Sequence, residues 1–380
     1  MLRRLTLGFF VLACAAVVAA CSSGDVNPPS SGGVSGIGPN FVTNTIYVAN
    51  TTQNDVEIYT PSPNPSATPQ HSIGGSNTGL NGPQYLAFDK TTTRLYVTNY
   101  NAGTTAGSVT IYQKFATGNV LPFGSYTFSA GVSPHGVAVT PDGVDFVTAI
   151  TQPNGVFTDA LQVINISTDS LLNNIAGPNT GLHTPMGVAI DANKNIYVAN
   201  SAVNSAGTPS VEIFALPSAS PAPTSSPTTS PSPTPTASVS PTPTPTPFSD
   251  DVFPTTTITS TSFVTPTGIG LDSKGNIYVA DAGNPRAGKA PAILVFNAPF
   301  AANVNNAPQP LVPFATITST ALVMPVDVKV DSGGTIYVID QGSGLDQSKL
   351  LIFPPNSNGS VSPTAISLPH GTASGLALSP

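Results

Sequence analysis

TPMGVAIDANKNIYVAN, residues 184–200, decides the fold. Two short apolar runs flank the polar turn DANKN, and their lengths and β-branched content suit strands rather than helices. The phrase returns as GPQYLAFDKTTTRLYVTN (82–99), SPHGVAVTPDGVDFVTA (133–149), TPTGIGLDSKGNIYVAD (265–281) and MPVDVKVDSGGTIYVID (324–340). A sixth copy is split. NTIYVAN at 44–50 supplies its second strand and ASGLALSP at 373–380 its first. A third strand follows in every unit: VEIY (56–59), VTIY (109–112), LQVI (161–164), VEIF (211–214), ILVF (293–296) and LLIF (350–353). Weaker outer strands, such as TITS at 257–260 and 316–319, bring each unit to four.

Repetition of a four-stranded unit that cannot bury both faces alone predicts an all-β, six-bladed β-propeller. Its interlocked N- and C-terminal strands close the ring and remove the exposed sheet edges. The aromatic of the second strand tests the period. Tyr47, Tyr96, Phe146, Tyr197, Tyr278 and Tyr337 are separated by 49, 50, 51, 81 and 59 residues. The long interval contains a Pro/Ser/Thr tract at 217–247, whose removal returns the spacing to 50. That tract lacks the large apolar residues a core needs, so an extended, disordered insertion within the fourth explicit unit's outer loop is expected. A linker between two three-bladed halves would leave open edges in each.

Upstream of the repeats, Arg3 and Arg4, an apolar run over 5–18 and the small residues Ala19 and Ala20 lead to Cys21. This is the layout of a cleaved export signal, and the run is short of the ~20 residues a spanning helix needs. Val18-Ala19-Ala20-Cys21 resembles the bacterial lipobox, which implies a signal peptide at 1–20, lipidation of Cys21 and a flexible spacer at 21–41 before a propeller at 42–380. The expected location is the cell envelope, with the membrane reached through the N-terminal lipid. Ser22 after the cysteine resembles the outer-membrane sorting signal of hosts with two membranes.

Both cysteines, Cys14 and Cys21, lie in this leader, so the propeller has none for disulfides, zinc or thiol catalysis. Without Arg3 and Arg4 the chain carries nine basic and 18 acidic residues, a net charge of −9 that argues against nucleic-acid binding. Charged residues make up only 8% of the chain, against ~25% in ordinary soluble domains, and 40 prolines and 34 glycines take their place.

NIYVAN, NIYVAD and TIYVID, each preceded by a Pro-x-Gly-like strand opening and a Gly/Asn turn, resemble NHL-repeat propellers. LYVTN at 95–99 and PHGVAVTPDG at 134–143 resemble the related YVTN type. The absence of tryptophan excludes a WD40 match. The resemblance implies kinship with the SMP-30/gluconolactonase-like superfamily, whose members include metal-dependent lactonases, lyases and binding scaffolds. Lactonases of that type use a glutamate near the first blade, whereas Glu57 and Glu212 here both sit in third strands.

Topology expects two rings at one end of the blades. The strand openings contribute Gln84, His135, Met186, Thr267, Val326 and Ser374, and the second-strand ends Asn50, Asn99, Ala149, Asn200, Asp281 and Asp340. The candidate channel-face ring is therefore Asn50, Asn99, His135, Asn200, Asp281 and Asp340. Asp281 and Asp340 are the candidate ligands for Ca²⁺, a hard ion that takes six to eight oxygens. The competing view is that Asn or Asp at a strand end satisfies loop N–H groups, and recurrence in five units favours it, so no cofactor is expected. Asp89, Asp191, Asp272 and Asp331 read as turn formers at the opposite end. Of the histidines, His135, His183 and His370 precede first strands, while His71 does not. The expectation is a monomeric binding scaffold for a protein, peptide or glycan. The alternative is a metal-dependent hydrolase or lyase, lactonase-like, at the central channel.

Overall fold

The structure is a computed structural model that describes residues 44–61, 64–101, 106–113, 115–143, 145–151, 159–201, 207–216, 248–344, 347–368 and 371–380. The leader with Cys21, the spacer, the Pro/Ser/Thr tract and His370 lie outside them. Six small sheets are arranged in a ring as a six-bladed β-propeller, with no α-helix among the described residues. Blade 1 is the split unit: Ala373–Leu378 pairs with Ile46–Asn50, followed by Asp55–Tyr59 and His71–Gly74. The inner strands of blades 2 to 6 are Pro83–Phe88, Ser133–Val139, Pro185–Ile190, Pro266–Leu271 and Pro325–Val330. Each inner strand lies against the next, and Pro325–Val330 meets Ala373–Leu378 to close the circle.

Why these strands pair this way follows from their side chains. In IYVAN at 46–50 every residue is buried, because the blade is covered on both faces. Ile46 and Val48 pack toward blade 6, with Ile339 and Leu350, whereas Tyr47 and Ala49 pack toward blade 2, with Leu95 and Val97. Period-two alternation therefore feeds two interfaces rather than one core and one solvent face. Six apolar clusters result, each shared by two consecutive blades. The cluster joining blades 6 and 1 is built like the other five, so the chain termini contribute a full interface.

Two features position the channel. Every inner strand carries a register shift at its opening, as between Pro83 and Leu86 or Pro325 and Asp327. Such a bulge turns the opening side chain out of the ladder. Just beyond it, Gly136, Gly187, Gly268 and Gly375 let neighbouring inner strands touch backbone to backbone. A Cβ on Gly136 would stand 2.3 Å from the Met186 carbonyl oxygen, and one on Gly375 2.3 Å from that of Gln84.

At the outer edge, successive blades are stapled. The connection between third and fourth strands of one blade adds a short parallel strand to the blade before it, as Gln309–Pro310 does on Thr256–Thr259 and Gly359–Ser360 on Ala315–Thr318. The chain on either side of the Pro/Ser/Thr tract obeys this rule. Ser210–Ala215 precedes the tract as the third strand of blade 4. Phe248–Asp250 then pairs with Ser170–Ala176 of blade 3, and Thr256–Thr259 returns to pair with Ser210–Ala215. Both flanks belong to one closed ring.

Candidate functional site

The central channel has an opening face, where inner strands begin and second strands end, and a turn-side face, where the turns between first and second strands lie. Of the residues expected around the opening mouth, His135 is on an inner strand. The others sit one strand out and hold loops. Asp281 accepts from the backbone N–H groups of Val264 (2.8 Å), Thr265 (3.0 Å) and Gly283 (2.9 Å). Asp340 repeats this with Val323 (2.7 Å), Met324 (3.0 Å) and Gly342 (2.9 Å). Asn99 Oδ1 accepts from the Asn81 N–H at 3.0 Å, and Asn200 Oδ1 from that of His183 at 2.5 Å. Asn50 Oδ1 faces the Gln53 N–H at 3.4 Å. All five are buried.

Each therefore ties the loop that opens a blade, or the loop leaving its own strand, to the strand end. Burial pushes the carboxyls of Asp281 and Asp340 above the ordinary range, against the pull of three backbone N–H groups each. A calcium ion does not fit this ring. The carboxylate oxygens of Asp281 and Asp340 already point at N–H groups, and no three His, Cys, Asp or Glu side chains converge among the described residues. The turn aspartates are likewise committed: Asp272 Oδ1 accepts from Lys274 and Asn276 N–H groups at 2.9 and 3.0 Å, and Asp191 and Asp331 follow the same pattern.

At the opening mouth His135 Nδ1 lies 3.0 Å from Gln84 Oε1, across the contact between blades 3 and 2. The Tyr100 ring lies 5.9 Å from the imidazole. Burial lowers the His135 pKa to about 4, so the ring is neutral near pH 7. Thr51 links blades 1 and 2 by hydrogen bonding the Pro83 carbonyl at 2.8 Å and the Ser374 hydroxyl. His183 sits in the loop held by Asn200, and His71 lies exposed on the outer strand of blade 1. Glu57 and Glu212 are buried in third strands, where Glu57 accepts from the Tyr59 hydroxyl at 2.6 Å. Glu212 accepts from Ser210 and Thr257 hydroxyls, both at 2.6 Å.

The waist of the channel holds residues that motif reading passed over. Where four blades have glycine, blade 2 has Tyr85 and blade 6 has Asp327. Tyr85 reaches across the axis, its hydroxyl donating to the carbonyl oxygens of Val326 (3.3 Å) and Thr267 (3.5 Å) on blades 6 and 5. Asp327 is fully buried, 2.6 Å from the Lys329 ammonium, and accepts from the Leu376 N–H at 3.0 Å. Burial raises its carboxyl above the usual range despite Lys329. Lys329 stands where the other blades have Ala87, Ala138, Ala189, Gly270 and Ala377. Breaks in the repeat were the available signal: one aromatic and one ion pair among glycines and alanines.

Beyond this plug, the turn-side mouth widens into a funnel of about 550 Å³ lined by all six inner strands. Its rim is apolar, from Phe88, Val139, Ile190, Leu271, Val330 and Leu378, and Lys329 reaches its wall. A cavity of about 810 Å³ adjoins it between blades 4 and 5.

No protein-family model and no curated protein sequence matches the chain. Solved structures do. The nidogen/laminin complex contains a chain that superposes with a TM-score of 0.52 at 14% identity, over 89% of this chain and 98% of that one. A periplasmic gluconolactonase of Pseudomonas aeruginosa gives 0.50 at 13% identity, over 89% and 99%. A luciferin-regenerating enzyme gives 0.50 at 11%, over 86% and 92%. Identities this low establish likeness of fold, which a binding module and enzymes share. The chain is a six-bladed β-propeller of the architecture found in those gluconolactonase and nidogen structures.

Proposed function

We propose that this chain is a lipid-anchored protein of the bacterial envelope whose propeller binds a neutral polar partner, a glycan or a peptide, at its opening face. The observation that supports this reading is the composition of that mouth above a closed waist. Gln84 and neutral His135 offer hydrogen-bonding groups, and Tyr100 beside them offers an amphipathic ring of the kind binding surfaces use. The ring of Asn and Asp outside them is committed to loops, so recognition falls to the inner-strand openings.

A screen of glycans and peptides against the Cys21→Ser chain tests the reading. Binding should fall at least tenfold in Tyr100→Ala and Gln84→Ala, a loss of ~1.4 kcal/mol or more; affinity unchanged in both variants overturns the site. Labelling with a radioactive fatty acid tests the anchor, and label retained in Cys21→Ser would remove it.

A lactone hydrolase is the second reading, and Asp327 with Lys329 in the channel is what favours it. Buried ionisable pairs in a cavity are candidates for chemistry as well as for structure. Hydrolysis of sugar lactones by the wild type and its loss in Asp327→Asn would select this reading over the first.

A further inference from the structure

We infer that the turn-side face of the propeller lies flat against the bilayer, leaving the opening face directed away from it; this rests on the lipoprotein reading of Cys21. Two independent observations place the face. The described chain begins at Asn44, whose N–H donates to the Ser379 carbonyl oxygen and whose side lines the turn-side funnel. The described chain therefore enters the propeller at that face, and any 22-residue segment, such as the one between Cys21 and Asn44 in the sequence, spans at most roughly 75 Å when extended.

The second observation is where large apolar side chains are exposed. Three blades begin their fourth strand with a related phrase: LPF at 121–123, VFP at 252–254 and VPF at 312–314. Leu121 is 77% exposed, Val312 87% and Phe314 70%, with Phe123, Val252 and Phe253 also exposed. Of these, Phe123 and Phe314 stand at the turn-side end, because fourth strands start beside the ends of third strands: the Phe123 N–H donates to Ile111 O and the Phe314 N–H to Val295 O, both at 2.7 Å. These backbone ties present the side chains on rigid strand starts. The Arg94 guanidinium lies 4.0 Å from the centre of the Phe123 ring, an aromatic with a cation beside it as at membrane–water interfaces. At the centre of the same face lies the apolar rim of the funnel. The lipid at Cys21 attaches the chain without fixing its orientation, and a second, apolar contact of this kind determines which face meets the bilayer.

The chain contains no tryptophan, so one substitution installs a single fluorescent reporter. Mature lipidated protein would be purified from membranes as Phe123→Trp, Phe314→Trp and Met324→Trp, the last an exposed position on the opening face. Each is reconstituted on phosphatidylethanolamine/phosphatidylglycerol vesicles, with and without bromine on the acyl chains near the headgroup. Co-flotation reports the anchor and quenching reports the face. The expected result is flotation of all three, with blue-shifted emission and several-fold greater quenching at positions 123 and 314 than at 324. Flotation with equal or greater quenching at 324 overturns the orientation and leaves the anchor standing. Failure to float overturns both. A blue shift at 123 and 314 already present without vesicles assigns the face to a second copy of the chain and also overturns it.

Discussion

At the openings of the six inner strands the side chains are Gln84, His135, Met186, Thr267, Val326 and Ser374; four residues further along the same strands they are Phe88, Val139, Ile190, Leu271, Val330 and Leu378. One end is mostly polar and hydrogen-bonded between blades, the other an apolar funnel rim. The difference lies along each strand, so the same six segments build both faces and neither can be exchanged without the other. Between them, at the waist, blades 2 and 6 depart from the glycine pattern and close the channel. Testing that waist is the sharpest way to separate the two ends.

Asp327→Ala should have the largest effect. It strands Lys329 and removes the acceptor of the Leu376 N–H, and breaking a buried ion pair costs about 3–5 kcal/mol. The double variant Asp327→Gly with Lys329→Ala, which copies blades 3 and 4, should recover most of that in urea unfolding. If the double variant is as unstable as the single one, the pair is not the reason for the loss.

Gly136→Ala should cost up to about 3 kcal/mol, because its Cβ meets backbone of blade 4 rather than a side chain that can move. A thermal midpoint within error of wild type would mean the inner strands can separate. Next in size, Asp340→Ala leaves three N–H groups without their acceptor and should cost roughly 2 kcal/mol. Asp340→Asn should cost less, since Asn99 and Asn200 hold the same loop with one oxygen.

Two groups shifted by desolvation should give opposite and smaller pH effects. Burial lowers His135 to about 4 from an ordinary 6.5, so the unfolded chain binds the proton first and stability falls as pH drops from 6.5 through 4. Glu212 is raised to about 7 from 4.5 by burial, against hydrogen bonds from Ser210 and Thr257. The folded state then holds the proton longer, and stability falls as pH rises from 4.5 through 7. Glu212→Gln should flatten the second slope and leave the first, which unfolding curves measured across pH 4 to 8 would show.

Much of this was legible in the sequence. Six copies of a strand pair, the split first unit and the aromatic spacing define a closed six-bladed ring. The period-two alternation in IYVAN and its relatives was legible too, although its meaning was not: both faces are buried because each blade stacks on two others. Site residues were only partly legible. Recurrence in five units marked Asn50, Asn99, Asn200, Asp281 and Asp340, but the pattern carries no direction, and the hydrogen bonds turn them toward loops. Tyr85 and Asp327 occur once each, and a search for what repeats overlooks what does not.

By itself, the sequence determined the number of blades, the strand order within each and the interlocking of its ends. Those depend on local alternation and repetition, which a linear chain displays directly. Only the tertiary structure decided that Tyr85 spans the axis to blades 5 and 6, that Asp327 meets the Leu376 N–H of the closing strand, and that Phe123 and Phe314 share a face with Asn44. Each joins residues far apart in the chain, and the ring closure brings them together.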